Sequence, residues 1–322
     1  MTLLEVTDAV VDYRVPGGNV VHAVAGVSLG VAAGEIVGLV GESGCGKSSL
    51  GRAIVGLNPL TSGSVTLDGA PIAALGRRAR PANERGLQMV FQDPYSSLNP
   101  RRRVWRQLAD GMPAGTSNSA AKAEAIAILG SVGLPKATAD RFPHEFSGGQ
   151  RQRIAIARVL AAKPSMIVAD EPVSALDAST RAQVSALLVD AARDHGMGLL
   201  MISHDLSGLR YMADRVAVMY FGRIVEIGAT ADLWDDPKHP YTRTLIGAIP
   251  RLGRDATLPL APVGEVADPT VKGKNRRGRK RATEHAVEHP ELIDVGGGRM
   301  VAGGVEDAAA AERAIIDGRS VL

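Results

Sequence analysis

Gly41-Glu42-Ser43-Gly44-Cys45-Gly46-Lys47-Ser48 has the spacing of a loop built to hold phosphate, Gly-x-x-x-x-Gly-Lys-Ser. A short apolar run, Glu35-Ile36-Val37-Gly38-Leu39-Val40, precedes it, and a helix-forming run from Ser48 to Val55 follows. Strand, glycine loop and helix in that order are the setting that the motif requires. Glycines let the backbone curl so that successive N–H groups point inward at phosphate oxygens. The helix beginning beside Lys47 adds its positive end. Lys47 is placed to reach the β- and γ-phosphates, and the Ser48 hydroxyl to ligate Mg²⁺.

Composition sets the outer bounds. The chain has 322 residues, of which 45% are hydrophobic, enough for one large or two modest domains. Cys45 is the single cysteine, so no internal disulfide and no cysteine metal cluster can form, and a reducing compartment is expected. The opening Met1–Glu5 lacks a basic region followed by an apolar one, so no signal peptide is expected, and no run is apolar enough to span a membrane. A net charge of +3 is too small to argue for nucleic acid.

Outward from the loop, residues 3–33 read as β structure around a Gly17-Gly18 turn. Tyr13 lies before that turn, either stacked on an adenine face or as a half-buried strand residue. Ser64–Leu67 and Gly86–Phe91 read as further strands, the second leading to Gln92. From Asp93 to about Ala162 strand signals stop, and helices are expected over Ala120–Ser131 and from the end of Phe146–Gln150 to Ala161. Met166–Ala169 is an apolar strand that delivers Asp170 and Glu171 at its C-terminal end, where α/β sheets place ligands. A helix over Ser179–His195 and strands at Leu199–Ile202, Val216–Tyr220 and Ile224–Ile227 follow, with Ser203-His204 ending the first of these. Beyond Pro250, prolines and glycines interrupt any long element, and Lys272–Arg281 is strongly basic.

Taken singly these features have ordinary explanations. Ser147 alone is a good helix N-cap, and a lone histidine is more often unremarkable than catalytic. Their order is more specific. The phosphate loop, Gln92, Ser147-Gly148-Gly149-Gln150-Arg151, the strand ending Asp170-Glu171, Ser174-Ala175-Leu176-Asp177 and His204 together resemble the ABC ATPase family over about residues 3–250. The resemblance implies an α/β P-loop NTPase cassette, with a RecA-like core, an antiparallel β subdomain and a helical subdomain at about 93–162. An irregular extension at 251–322 would follow, its basic segment at 272–281 solvated or touching anionic lipid.

The resemblance also assigns roles. ATP would contact Tyr13, Gly41 through Ser49, and Gln92. Ser48, Gln92 and Asp170 would hold Mg²⁺. Glu171 would be the general base, with His204 and Lys47 completing the catalytic set. Ser147–Gln150 would bind the γ-phosphate of a second subunit's nucleotide, and Asp177 would couple the two sites. The strings Phe91–Arg101, Glu171–Asp177 and His239-Pro240-Tyr241-Thr242 resemble the F-type subunit of oligopeptide, dipeptide and nickel importers. That branch implies a different, D-type second ATP-binding subunit, or a homodimer in isolation. It also implies two permeases, an extracytoplasmic solute-binding protein and a place on the cytoplasmic face of the membrane. Branch members often carry an iron–sulfur cluster on tail cysteines; with no cysteine after Cys45, none is expected. DNA-repair and translation cassettes usually show tandem cassettes, coiled-coil insertions or zinc cysteines. This sequence has none of these, so no nucleic-acid partner is expected.

Overall fold

Three short strands carry the architecture, because each is buried along its whole length. The computed structural model describes residues 2–14, 20–76, 85–174, 176–249 and 292–302. The chain opens with long strands β1 (Thr2–Arg14) and β2 (Val20–Ala32), paired antiparallel. Next come β3 (Ile36–Val40), helix α1 (Lys47–Ile54), β4 (Ser62–Leu67), β5 (Ala70–Pro71) and β6 (Leu87–Val90). From there to residue 161 the structure is helices and turns: α2 (Pro94–Ser97), α3 (Val104–Ala109), α4 (Asn118–Ser131) and α5 (Gly148–Ala161). β7 (Met166–Asp170), α6 (Ala178–Asp194), β8 (Gly198–Ile202), α7 (Leu206–Leu209), β9 (Arg215–Tyr220) and β10 (Arg223–Ala229) complete the alternating part. Helices α8 (Thr230–Asp235) and α9 (Pro240–Gly247) and strands β11 (Leu292–Asp294) and β12 (Met300–Ala302) end the described chain.

The strands form two sheets. One is antiparallel, in the order β2-β1-β4-β5; the other has eight strands, β11-β12-β10-β9-β3-β8-β7-β6. β6, β7, β8, β3 and β9 run parallel, and the last three strands add antiparallel at one edge. The apolar runs of β3, β7 and β8 are what a parallel sheet needs when both faces are covered. Their alternating residues separate into two cores. Ile36, Val40, Ile167, Ala169, Leu199 and Met201 pack toward α3, α4, α5 and α6. Val37, Leu39, Met166, Val168, Leu200 and Ile202 pack toward α1 and the antiparallel sheet. The period of two thus joins the two cores through a shared sheet.

Helix α5 is fastened by its arginines. Ile154, Ala157 and Ala161 are buried in the core, as the helical spacing predicts. Arg151 is buried too: its Nε donates to the Pro143 carbonyl at 2.8 Å, and its guanidinium lies 4.1 Å from the centre of the Tyr95 ring. Arg158 donates to the Ser97 carbonyl. The polar side of this helix therefore grips α2 and the turn before α5.

Within 251–322, where prolines and glycines point to irregular chain, residues 292–302 are an exception. Gly296, Gly297 and Gly298 all have positive φ and turn the chain between two three-residue strands. β12 then pairs with β10, Glu226 facing Val301 and Ile227 facing Met300. The basic segment 272–281 lies outside the described residues. Arg299, in the hairpin turn, is buried against the fully buried Glu226 and donates Nε to its carboxylate at 3.1 Å. Arg299→Ala leaves that carboxylate without its cation. It should lower stability by about 3 kcal/mol, read from urea denaturation midpoints.

Candidate nucleotide site

The phosphate loop is clamped between the two sheets by glycine. A Cβ at Gly41 would lie 2.1 Å from the Met219 carbonyl oxygen of β9. A Cβ at Gly46 would lie 2.0 Å from the Ala23 carbonyl oxygen of β2. Both glycines also have positive φ, 154° and 107°. Any side chain at either position therefore forces the sheets apart. The Gly222 N–H donates to the Cys45 carbonyl at 2.8 Å, and the Gly222 carbonyl accepts from Ala25 at 2.9 Å, so the β9–β10 turn closes the same clamp.

Inside the loop, Lys47 is buried and its ammonium folds back onto the carbonyls of Gly41 and Glu42, each at 2.8 Å. Cys45 Sγ is 3.7 Å from the same ammonium. The thiol is buried, and burial outweighs the nearby lysine and raises its pKa. Blocking the loop by alkylating this thiol requires it to be exposed, and it is not. Tyr13 reaches the start of α1: its hydroxyl donates to Ser49 Oγ at 3.2 Å and accepts from Asn58 at 2.7 Å. Its ring stays partly exposed beside the loop.

At the strand ends opposite the loop, Ser48 Oγ donates to Asp170 Oδ1 at 2.8 Å. Burial pushes the Asp170 carboxyl up and outweighs this hydrogen bond. Glu171 has φ 44°, a left-handed backbone that costs about 1 kcal/mol for a residue with a Cβ. The conformation is held by a hydrogen bond from the Glu171 N–H to the Ile202 carbonyl at 3.0 Å. From there the carboxylate meets Gln92 Nε2 at 3.1 Å and His204 Nδ1 at 3.3 Å. Gln92 also approaches Ser174 Oγ at 3.4 Å. Gln92 thus sits on Glu171 rather than on the Ser48–Asp170 pair.

Ser147–Gln150 occupies a different surface. Ser147 caps α5, its hydroxyl accepting from the Gln150 backbone N–H at 3.4 Å, while the Ser147 backbone N–H donates to Gln150 Oε1 at 3.1 Å. Ser147, Gly148 and Gln150 are exposed. Among the described residues no hydrogen bond joins this segment to Gly41–Ser49. Gly149 instead packs on α6, where a Cβ would come within 2.6 Å of Thr180 Cγ2. Asp177 caps α6 through the Thr180 amide at 3.0 Å and the Ser179 hydroxyl at 2.7 Å. A cavity of about 500 Å³ lies beside Glu171, His204, Val173, Arg181 and Met201, but includes no residue of the phosphate loop.

This geometry matches a known family. The ABC transporter family model covers residues 24–174, and that of the oligopeptide/dipeptide transporter C-terminal region covers 225–275. The oligopeptide transport ATP-binding protein OppF of Bacillus subtilis is 46% identical over 77% of this chain and 82% of its own. The dipeptide transport ATP-binding protein DppF of Escherichia coli is 40% identical over 92% of each chain. The chain belongs to the ABC transporter ATP-binding family. Its activity is that family's, ATP hydrolysis. Among solved structures, the ATP-binding cassette MJ0796, a dimer in a post-hydrolysis state bound to ADP and Pi, has a TM-score of 0.64 at 27% identity. That likeness covers 71% of this chain and 99% of MJ0796.

Two contacts of this ABC ATPase have no signal in the sequence. One is the left-handed turn at Glu171. The other is Tyr241, whose hydroxyl accepts from the Glu42 amide at 3.0 Å across 199 residues. Asp177 yields a pH test. Hydrogen bonds from Thr180 and Ser179 lower its pKa from 3.8 to about 2. The ionised cap therefore supports folding above the ordinary aspartate value, and this support is lost as pH falls toward the folded value. Asp177→Asn keeps an acceptor and loses the titration. Its urea midpoint should fall less between pH 3.8 and about 2 than that of the parent.

Proposed function

We propose that this chain binds ATP on Gly41–Ser49 with Tyr13 and Gln92, and hydrolyses it with Glu171 as general base. The observation that carries this reading is the Gln92–Glu171–His204 cluster set beside the Ser48–Asp170 pair. The Ser48 hydroxyl and Asp170 carboxylate are hard oxygen donors 2.8 Å apart, a donor set suited to Mg²⁺ that takes its remaining oxygens from phosphate and water. Bound there, Mg²⁺ would neutralise phosphate charge.

The chain's own residues do the rest. Lys47 exchanges the Gly41 and Glu42 carbonyls for phosphate oxygens, so its ammonium moves from one set of acceptors to another without ever facing bulk water. Glu171 takes the proton of the attacking water. His204 and Gln92, both on the same carboxylate, hold it at the angle that the strained backbone sets. The exposed helix N-terminus at Ser147–Gln150 suits the γ-phosphate of another subunit's ATP. Its separation from this chain's own loop supports a site completed by two chains. Asp177, one turn from the Gly149–Thr180 contact, is placed to link the two halves.

The names of the relatives, oligopeptide and dipeptide transport ATP-binding proteins, support a reading of the partners. The chain serves as one ATP-binding subunit of a peptide importer, paired with a D-type chain. The assembly stands on two permeases at the cytoplasmic face of the membrane and is fed by a solute-binding protein. Among the described residues no helix is long and apolar enough to cross a membrane. Glu171→Gln in the assembled transporter should keep ATP binding and lower turnover by about a hundredfold or more. Hydrolysis at the parent rate would remove Glu171 as the base.

A further inference from the structure

His239-Pro240-Tyr241-Thr242 lies far along the chain from every phosphate-binding residue, yet it reaches the phosphate loop. The peptide between Gly41 and Glu42 is held at both ends. Its carbonyl, on Gly41, accepts from Lys47 Nζ at 2.8 Å; its N–H, on Glu42, donates to the Tyr241 hydroxyl at 3.0 Å. A peptide plane with both polar groups engaged cannot rotate without breaking one of them. Gly41, on one side of that peptide, lacks the side chain that would otherwise limit rotation. Tyr241 therefore supplies a restraint that the loop sequence does not.

Tyr241 is itself fixed. Its ring packs on Tyr220, with centroids 4.2 Å apart. Burial raises its pKa, so the hydroxyl stays neutral. Its own amide donates to His239 Nδ1 at 3.2 Å. Burial lowers the pKa of His239, favouring the neutral ring that can accept there. The start of α9 is anchored by Glu226 of β10, whose two carboxylate oxygens accept from the Lys238 and His239 amides, each at 2.9 Å. Glu226 is fully buried, and Arg299 of the β11–β12 turn is its counter-cation. Arg299 also donates to the Asp236 carbonyl at 2.5 Å. A continuous path of polar contacts, buried at Arg299 and Glu226 and exposed at Glu42, thus runs from the hairpin at 292–302 to the phosphate loop.

We propose that Tyr241 is a positioning residue for the phosphate loop, and that the 292–302 hairpin sets Tyr241 in place through Glu226. The inference rests on the reading of Gly41–Ser49 as the ATP site. Tyr241 does not touch nucleotide; it orients the Gly41–Glu42 peptide that Lys47 must leave and return to. The segment after residue 250 thereby takes part in ATP affinity without any residue of its own in the site.

The test is equilibrium titration of the full-length chain with a fluorescent ATP analogue and Mg²⁺, alongside thermal melting. Tyr241→Phe removes the hydroxyl and keeps the ring. It should weaken binding about fivefold, as expected for one hydrogen bond, with an unchanged melting midpoint. Arg299→Lys keeps the charge beside Glu226 but cannot fork to Asp236, and should weaken binding about twofold. The double variant should bind no more weakly than Tyr241→Phe alone, because both changes act through one hydroxyl. Parent-like affinity in Tyr241→Phe, or effects that multiply in the double variant, would overturn the proposal. Lys47→Ala separates the two levels: binding retained in that variant removes the ATP-site reading itself.

Discussion

Two backbone carbonyls, Ala23 and Met219, approach the phosphate loop so closely that only glycine fits opposite them. One belongs to the antiparallel sheet and the other to the mixed sheet. The loop thus lies between the two sheets, and its shape cannot change independently of them. This explains why a flexible, glycine-rich segment can still present a fixed set of N–H groups. Its rigidity comes from the neighbours that exclude side chains. The same packing puts Lys47, Ser48 and the start of α1 at the C-terminal ends of β3 and β7, where Asp170 and Glu171 emerge.

Charge is handled differently on the two sides of this site. Toward the core, Asp170 is buried and its carboxyl is pushed up by desolvation, a state that favours a nearby cation or a donated hydrogen bond. Toward the opening, Glu171 and His204 face each other, with the histidine half exposed. A buried carboxylate held by the Ser48 hydroxyl and a partly buried one that meets Gln92 and His204 therefore sit on adjacent residues. The left-handed backbone at Glu171 begins where the strand ends, and it separates these two surroundings.

Much of this was legible in the sequence, for physical reasons that differ by element. β3, β7 and β8 announce themselves because strands buried on both faces need continuous apolar residues. α5 is marked by its cap, Ser147, whose hydroxyl accepts from a free amide, whereas the cap of α6, Asp177, emerges only in the structure. The phosphate loop is legible because its glycines answer a local steric demand. The buried contacts of Arg151 and Arg158 were not legible, because a guanidinium looks the same in sequence whether it meets water or a carbonyl. Nor was the Tyr241 contact, which depends on how α9 returns to the sheet edge. The hairpin at 292–302 has its turn glycines, but three-residue strands are too short to show a period. It forms because β10 offers an unpaired edge and Glu226 a buried charge to neutralise.

The single thiol of the chain has a practical meaning. Cys45 is 7% exposed, buried within a loop that two sheets hold shut. A cysteine introduced anywhere on the surface would then be the one that reacts with a maleimide or nitroxide reagent, with no native thiol to remove first. Probes could be set in pairs, for instance one near the cap of α5 and one on α1, and the spacing between them followed as nucleotide is added. In that sense the protein is already prepared for distance measurements, and the loop that would hold the nucleotide also protects the one group that would confuse them.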